Sequence, residues 1–361
     1  MSDQPEKHFP SDYRTAREAF VAAAEAAELG ITSRVHPRMH GADGKPLFMD
    51  VATAGPREAK RAMLLISGTH GVEGYFGSGV QTGLLRQGLA RRLPKGAKLV
   101  LLHALNPFGF SWNRRVNEHN ADINRNFVDH ANPPDNPAYD SLADAIAPRT
   151  VSPAAMKKAN ARLGKYAAEH GPFALQEAIS KGQYRHPDGI YFGGTGESWS
   201  AQMLKDVFRE ELRDVEDLTV IDFHTGLGDC GASEMITEDL PGSPAYVRAR
   251  ELWGDLVQSS EAAESISPPL CGTIDSAVGL WMKGKQLTFA ALEVGTQSLR
   301  DVFDALRHDN WLHAHAQLEH RNARAIKRRI RAAFYPDTDE WKRKVWKSAD
   351  SVVASALAAL G

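Results

Sequence analysis

His70 and Glu73 stand three residues apart in Gly68-Thr69-His70-Gly71-Val72-Glu73-Gly74, directly after the apolar run 62–67. In a tight glycine-rich loop that spacing turns an imidazole nitrogen and a carboxylate oxygen to one side of the backbone. Zinc takes such ligands at about 2.0–2.2 Å, and a catalytic zinc usually has three protein ligands and one open position. His224 supplies the third, in Asp222-Phe223-His224-Thr225-Gly226. Read singly, His70–Glu73 is equally a helix start with a solvated carboxylate, and His224 a hydrogen-bonded loop histidine. It is their shared position, each at the end of an apolar run, that favours a metal.

Positioning such a set requires buried strands that end together. Runs at 62–67, 97–103, 218–223 and 287–292 are continuous and apolar, and helical stretches separate them. This pattern predicts an α/β fold with a mixed, mostly parallel sheet covered by helices on both faces. In such sheets ligands bind beyond the carboxyl ends of the strands. The fourth run leads into Glu293, placed to act as a general base and then acid on a metal-activated water. A salt-bridged carboxylate is its plainer reading. Asp122 and Asp222 are candidates to hold the ligand imidazoles in one tautomer.

The segment 113–127, Asn-Arg-Arg-Val-Asn-Glu-His-Asn-Ala-Asp-Ile-Asn-Arg-Asn-Phe, is dense in planar hydrogen-bonding groups. Arginine forks suit a carboxylate or a developing oxyanion. A polar loop held by its own side chains is the alternative.

Taken in order, His70-x-x-Glu73, Asp122-Ile123-Asn124-Arg125-Asn126-Phe127, Asp222-Phe223-His224 and Thr288-Phe289-Ala290-Ala291-Leu292-Glu293 resemble the signature of carboxypeptidase-A-like zinc metallopeptidases. The wording of 67–74 and 103–110 is most similar to a bacterial branch known mainly as a domain of unknown function. The resemblance covers about residues 11–300. It implies a carboxypeptidase-like fold with one zinc on His70, Glu73 and His224, and Glu293 as general acid/base. It further implies Arg115, or its neighbour Arg114, polarising the scissile carbonyl, and Asn124 and Arg125 clamping a substrate carboxylate. Asp122 resembles the partner of the first zinc histidine. The short spacing from Arg115 to Asn124 is closer to the aspartoacylase and succinylglutamate-desuccinylase relatives, so an acyl-amino acid is as compatible a substrate as a small peptide. A non-catalytic carboxylate-binding module is the reading from another class. Tyr246 stands in a Pro-flanked helix start and is not assigned as a substrate-covering tyrosine.

Local patterns predict a helix over 11–29 capped by Ser11 and ended by Gly30, a hairpin around 41–44, and a helix over 77–90. Residues 132–194 read as a helical insertion within one domain spanning 1–361. From Trp311 onward the chain reads as helical. With a net charge of −2 there is no electrostatic reason to expect nucleic acid, and the basic run 327–331 reads as a solvated helix face. No window has the roughly 18–20 apolar residues of a membrane span, so no membrane partner is expected. The polar N-terminus and the two cysteines, Cys230 and Cys271, fit a cytoplasmic enzyme. His313 and His315 alternate on their helix and read as surface histidines.

Overall fold

Eight strands form one sheet in the computed structural model, which describes residues 4–361; Met1, Ser2 and Asp3 of the polar N-terminal stretch lie outside it. They are β1 (Gly30–His40), β2 (Pro46–Ala54), β3 (Arg61–Ile66), β4 (Ala97–His103), β5 (Asp217–Thr225), β6 (Ser233–Thr237), β7 (Val257–Ser259) and β8 (Gln286–Val294). Their order is β1-β2-β4-β3-β5-β8-β6-β7. The central run β4-β3-β5-β8 is parallel throughout. The β1–β2, β2–β4 and β6–β8 pairs are antiparallel, which makes the sheet mixed.

The continuous apolar runs are explained by burial on both faces. Successive side chains of a strand point to opposite sides. Met63 and Leu65 of β3 and Leu99 and Leu101 of β4 pack into one core, with the helices Tyr13–Ala26, Gly74–Arg86 and Asp339–Ala358. Leu64 and Ile66, with Val100 and Leu102, pack into the other, with the helices Trp199–Glu211 and Ile274–Trp281.

Several local expectations move. The first helix starts at Tyr13 and is capped by Asp12, whose side chain accepts the Thr15 N–H; Ser11 instead donates to Asp12. It ends at Ala26, and Gly30 opens β1. The next helix begins at Gly74, and Gly77 sits one turn inside it, where a Cβ would stand 2.6 Å from the Ser67 Cβ. Both β5 and β8 extend two residues further than their apolar runs, so His224 and Glu293 lie within strands. Within 132–194 the helices are Pro137–Ile146, Pro153–His170 and Pro172–Ser180; Gly164 lies inside the second, and Gly171, at a φ of 91°, separates the second from the third. Among the described residues no helix is long and apolar enough to cross a membrane.

The basic run is not wholly solvated. Lys327 turns inward from the helix Ala323–Phe334 to Asp309, at 2.6 Å, and burial pulls its ammonium down to about 8 despite that carboxylate. His313 is likewise largely buried, 3.8 Å from Asp309 one turn earlier, and lies in a π-helical turn, Leu312–Ala316.

Candidate metal centre

The His70–Glu73 loop is held by backbone before any side chain acts. Gly68 adopts a φ of 69°, and a Cβ on Gly71 would fall 2.0 Å from the Gly109 carbonyl carbon. Glycine is thus required at both places. The Gly71 and Val72 N–H groups donate to the Arg115 and Arg114 carbonyls at 3.1 and 2.8 Å. The loop bearing the arginines is therefore stitched directly to the turn bearing His70 and Glu73.

Three ligand-competent groups converge there, all buried. His70 Nδ1 lies 2.9 Å from Glu73 Oε1, His224 Nδ1 lies 3.0 Å from Glu73 Oε2, and the two Nδ1 atoms are 3.2 Å apart. Two ligands at 2.0–2.1 Å from a tetrahedral zinc stand about 3.3 Å apart, so the spacing and the two-nitrogen, one-oxygen donor set fit that ion. The outer nitrogens are engaged as a metal site needs. His70 Nε2 faces Asp122 Oδ1 at 3.1 Å, and His224 Nε2 faces Asp222 Oδ2 at 2.8 Å. Asp222 in turn accepts the Thr69 hydroxyl on both oxygens at 2.9 Å.

Charges are strongly biased. Burial alone would raise the Glu73 carboxyl, yet His70 and His224 hold it well below the usual range. Burial would likewise raise Asp122, and Arg115 and His70 override it. For His224, burial opposes protonation, but Asp222 and Glu73 lift it well above an ordinary histidine. Glu293 goes the other way. Burial, reinforced by the charge of Glu73, pushes its carboxyl up to about 8, while its Oε1 accepts the Leu227 N–H at 2.9 Å. Glu293 pairs with His224 across the β5–β8 ladder.

Arg115 and Arg114 separate cleanly. Arg115 donates to Asp122 Oδ2 at 2.8 Å and Glu73 Oε1 at 3.0 Å, with Nη2 2.8 Å from His70 Nε2, and it borders the cavity. Arg114 points elsewhere, to Asp309 at 3.3 Å and Asn120 at 2.9 Å. Arg125 is 2% exposed and donates to the Ser180 and Asn124 carbonyls. Asn124 Oδ1 accepts the Ile274 N–H at 2.8 Å, and the residue borders the cavity. Much of the remaining segment does hold loops: Asn117, Asn120 and Asn126 bond to backbone. Tyr246 bonds Glu264 and lies outside the cavity lining. Cys230 and Cys271 are free.

A cavity of about 820 Å³ opens over His70, His224 and Glu293. Leu163, Phe173 and Ile179 from the helices of 132–194 border it, as does Tyr191. The Tyr191 ring lies 5.1 Å from the Arg115 guanidinium carbon and 5.6 Å from that of Arg125. Sequence reading did not single out Tyr191, since an isolated tyrosine in a glycine-rich stretch carries no spacing signal. Its one local mark, a φ of 54°, is visible only in the fold.

A sequence profile described as "Protein of unknown function (DUF2817)" matches residues 9–348. The chain belongs to this family. No curated protein matches it. Among solved structures it is similar to bovine thrombin-activatable fibrinolysis inhibitor in complex with tick carboxypeptidase inhibitor, at 11% identity, TM-score 0.48, covering 98% of this chain and 97% of that one. An aspartoacylase family protein from Mesorhizobium loti matches at 16% identity, TM-score 0.41, over 81% and 68% of the two chains. A metallo-carboxypeptidase from Burkholderia cenocepacia matches at 14% identity, TM-score 0.42, over 90% and 68%.

Proposed function

We propose that this protein is a zinc-dependent hydrolase that cuts an amide bond beside a free carboxylate. The convergence of His70 Nδ1, His224 Nδ1 and the Glu73 carboxylate, with Asp122 and Asp222 on the outer nitrogens, carries the reading. Zinc held by His70, Glu73 and His224 would supply Lewis-acid polarisation of a carbonyl and an acidified water.

The chain's own groups do the rest. Glu293, at the cavity wall and with a raised affinity for protons, takes a proton from the attacking water and delivers it to the departing amine. Arg115, bridging Glu73 and Asp122, places a fixed positive charge beside the developing oxyanion. Arg125 and the Asn124 amide hold the substrate's carboxylate and so set which bond meets Glu293. The cavity volume lies within the range of about 300–1,000 Å³ common for small-molecule sites, which suits an N-acyl amino acid or a dipeptide.

The test is turnover of N-acyl amino acids and dipeptides by zinc-loaded protein, with Glu293→Gln as control. Release of the free amino acid by wild type alone supports the reading. Ligand binding with no turnover in either protein would make it a carboxylate-binding module instead.

A further inference from the structure

Arg115 and Arg125 share one aromatic ring. Their guanidinium carbons lie 5.1 and 5.6 Å from the centroid of Tyr191, within the roughly 6 Å at which a ring face attracts a cation. The N–H edges of both arginines are engaged. Arg115 donates to Asp122 and Glu73, with Nη2 against His70, and Arg125 donates to the Ser180 and Asn124 carbonyls. A guanidinium held at its edge still offers its face to an aromatic ring. The two cations also act on each other: burial, opposed by Asp122, and then the Arg115 charge weaken the hold of Arg125 on its proton. A ring that attracts both offsets this repulsion without adding a charge.

The backbone holds Tyr191 there against its own preference. Its φ of 54° lies in the left-handed region, which a bulky residue adopts only where its surroundings impose it. Here they do. The Asn120 amide donates to the Gly189 carbonyl at 2.8 Å, the Asp122 N–H to the Phe192 carbonyl at 2.7 Å, and the Asn126 amide to the Gly193 carbonyl at 2.7 Å. The Gln183 N–H donates to the Tyr191 carbonyl itself at 3.1 Å. The Tyr184 hydroxyl donates to the Arg125 carbonyl at 2.7 Å, and a Cβ on Gly193 would fall 2.5 Å from that same oxygen. The segment ending in Gly193 is thus stitched to the 120–126 loop on both sides of Tyr191, and ring and arginines are placed by one set of bonds.

We propose that Tyr191 is a positioning residue that sets the span between Arg115 and Arg125, and through it the distance from the cut bond to the substrate's carboxylate. This rests on the hydrolase reading, in which Arg115 faces the carbonyl and Arg125 the carboxylate. The consequence is a length rule. An amide separated from the carboxylate by one carbon fits, and one separated by two does not. Filling space is the competing role, since Tyr191 also packs against two apolar clusters, one within the helices of 132–194 and one around Val72 and Phe334.

N-benzoylglycine and N-benzoyl-β-alanine differ by that one methylene. The experiment measures kcat and KM for both with zinc-loaded wild type, Tyr191→Phe and Tyr191→Leu. Calorimetric affinity for the same two compounds, with each ring variant placed in a Glu293→Gln background, reads the span without turnover. Wild type and Tyr191→Phe should prefer the glycine compound by about tenfold or more, as expected when reacting groups are misplaced. Tyr191→Leu should lose about tenfold or more on the glycine compound and far less on the β-alanine compound, so that the preference collapses. Tyr191→Met carries the same comparison should the leucine variant not fold. A purely space-filling role would slow both compounds alike, or lower the melting temperature with the preference intact, and either result overturns the assignment. A wild type that prefers to bind the glycine compound but hydrolyses neither defeats the hydrolase reading and leaves the ring's role to the affinities. A wild type that hydrolyses both equally well overturns the length rule and leaves the hydrolase reading standing.

Discussion

Asp222 and His224 lie two residues apart on β5, and the Asp222 carboxylate reaches the His224 Nε2 at 2.8 Å. On a strand that separation places both side chains on one face. The aspartate fixes the ring so that Nδ1 faces Glu73 and His70. Asp222→Asn should therefore weaken zinc binding by about 10–100-fold, the usual cost of removing such a partner. Competition with a chelator measures it, and an unchanged affinity would remove Asp222 from the site.

Glu293→Gln should keep the metal and lose turnover by about 10²–10⁴-fold, the range for a general acid/base. Because burial and Glu73 push the Glu293 carboxyl up to about 8, it is proton-bearing below that pH and a base above it. Bound dipositive zinc counters the Glu73 charge and lowers that value, so kcat/KM should rise with pH through an apparent pKa above the ordinary carboxylate value of about 4.3. The limb should be absent from the residual activity of the variant.

Arg125→Lys should raise KM for a carboxylate-bearing substrate by about 10–100-fold, equivalent to one or two charge-assisted bonds, with kcat much less affected. Lysine keeps the charge but cannot reproduce the fork that meets Ser180, Asn124 and a ligand together. Kinetics on a substrate lacking the carboxylate give the control, since its KM should not move.

Gly71→Ala should abolish zinc binding or folding outright. Its Cβ would meet the Gly109 carbonyl carbon at 2.0 Å and the Phe110 nitrogen at 2.2 Å, both backbone atoms that cannot rotate away. The cost should exceed the roughly 1–3 kcal/mol of ordinary overpacking. Gly164→Ala, where a Cβ meets nothing within 4 Å, should leave thermal stability intact or raised.

Stability should also fall in acid through His103. Burial holds its imidazole down at about 4, against the stacked Phe20 ring at 4.5 Å, with Nε2 on Ser78. The unfolded chain takes up this proton near pH 6.5 and the folded chain only near 4. The stabilising contribution is present above 6.5 and is lost as pH falls through that window, by about 1.4 kcal/mol per pH unit. His103→Gln should flatten that part of the profile of melting temperature against pH.

The centre was legible because strands buried on both faces leave uninterrupted apolar runs, and a histidine or glutamate closing such a run stands out. His70, Glu73, His224 and Glu293 all carry that mark. β6 and β7 escaped notice because five and three residues are too few for a periodic pattern. Lys327 misled for a related reason: its neighbours are solvated, and only the fold brings Asp309 beneath it. Ser11 and Asp12 are both good caps one residue apart, and backbone geometry chose Asp12.

The most direct test of the account is the metal content of the purified protein set beside its amide hydrolysis. It predicts close to one zinc per chain, lost from His70→Ala and His224→Ala together with activity. A metal-free wild-type protein that hydrolyses its substrate at full rate would contradict it.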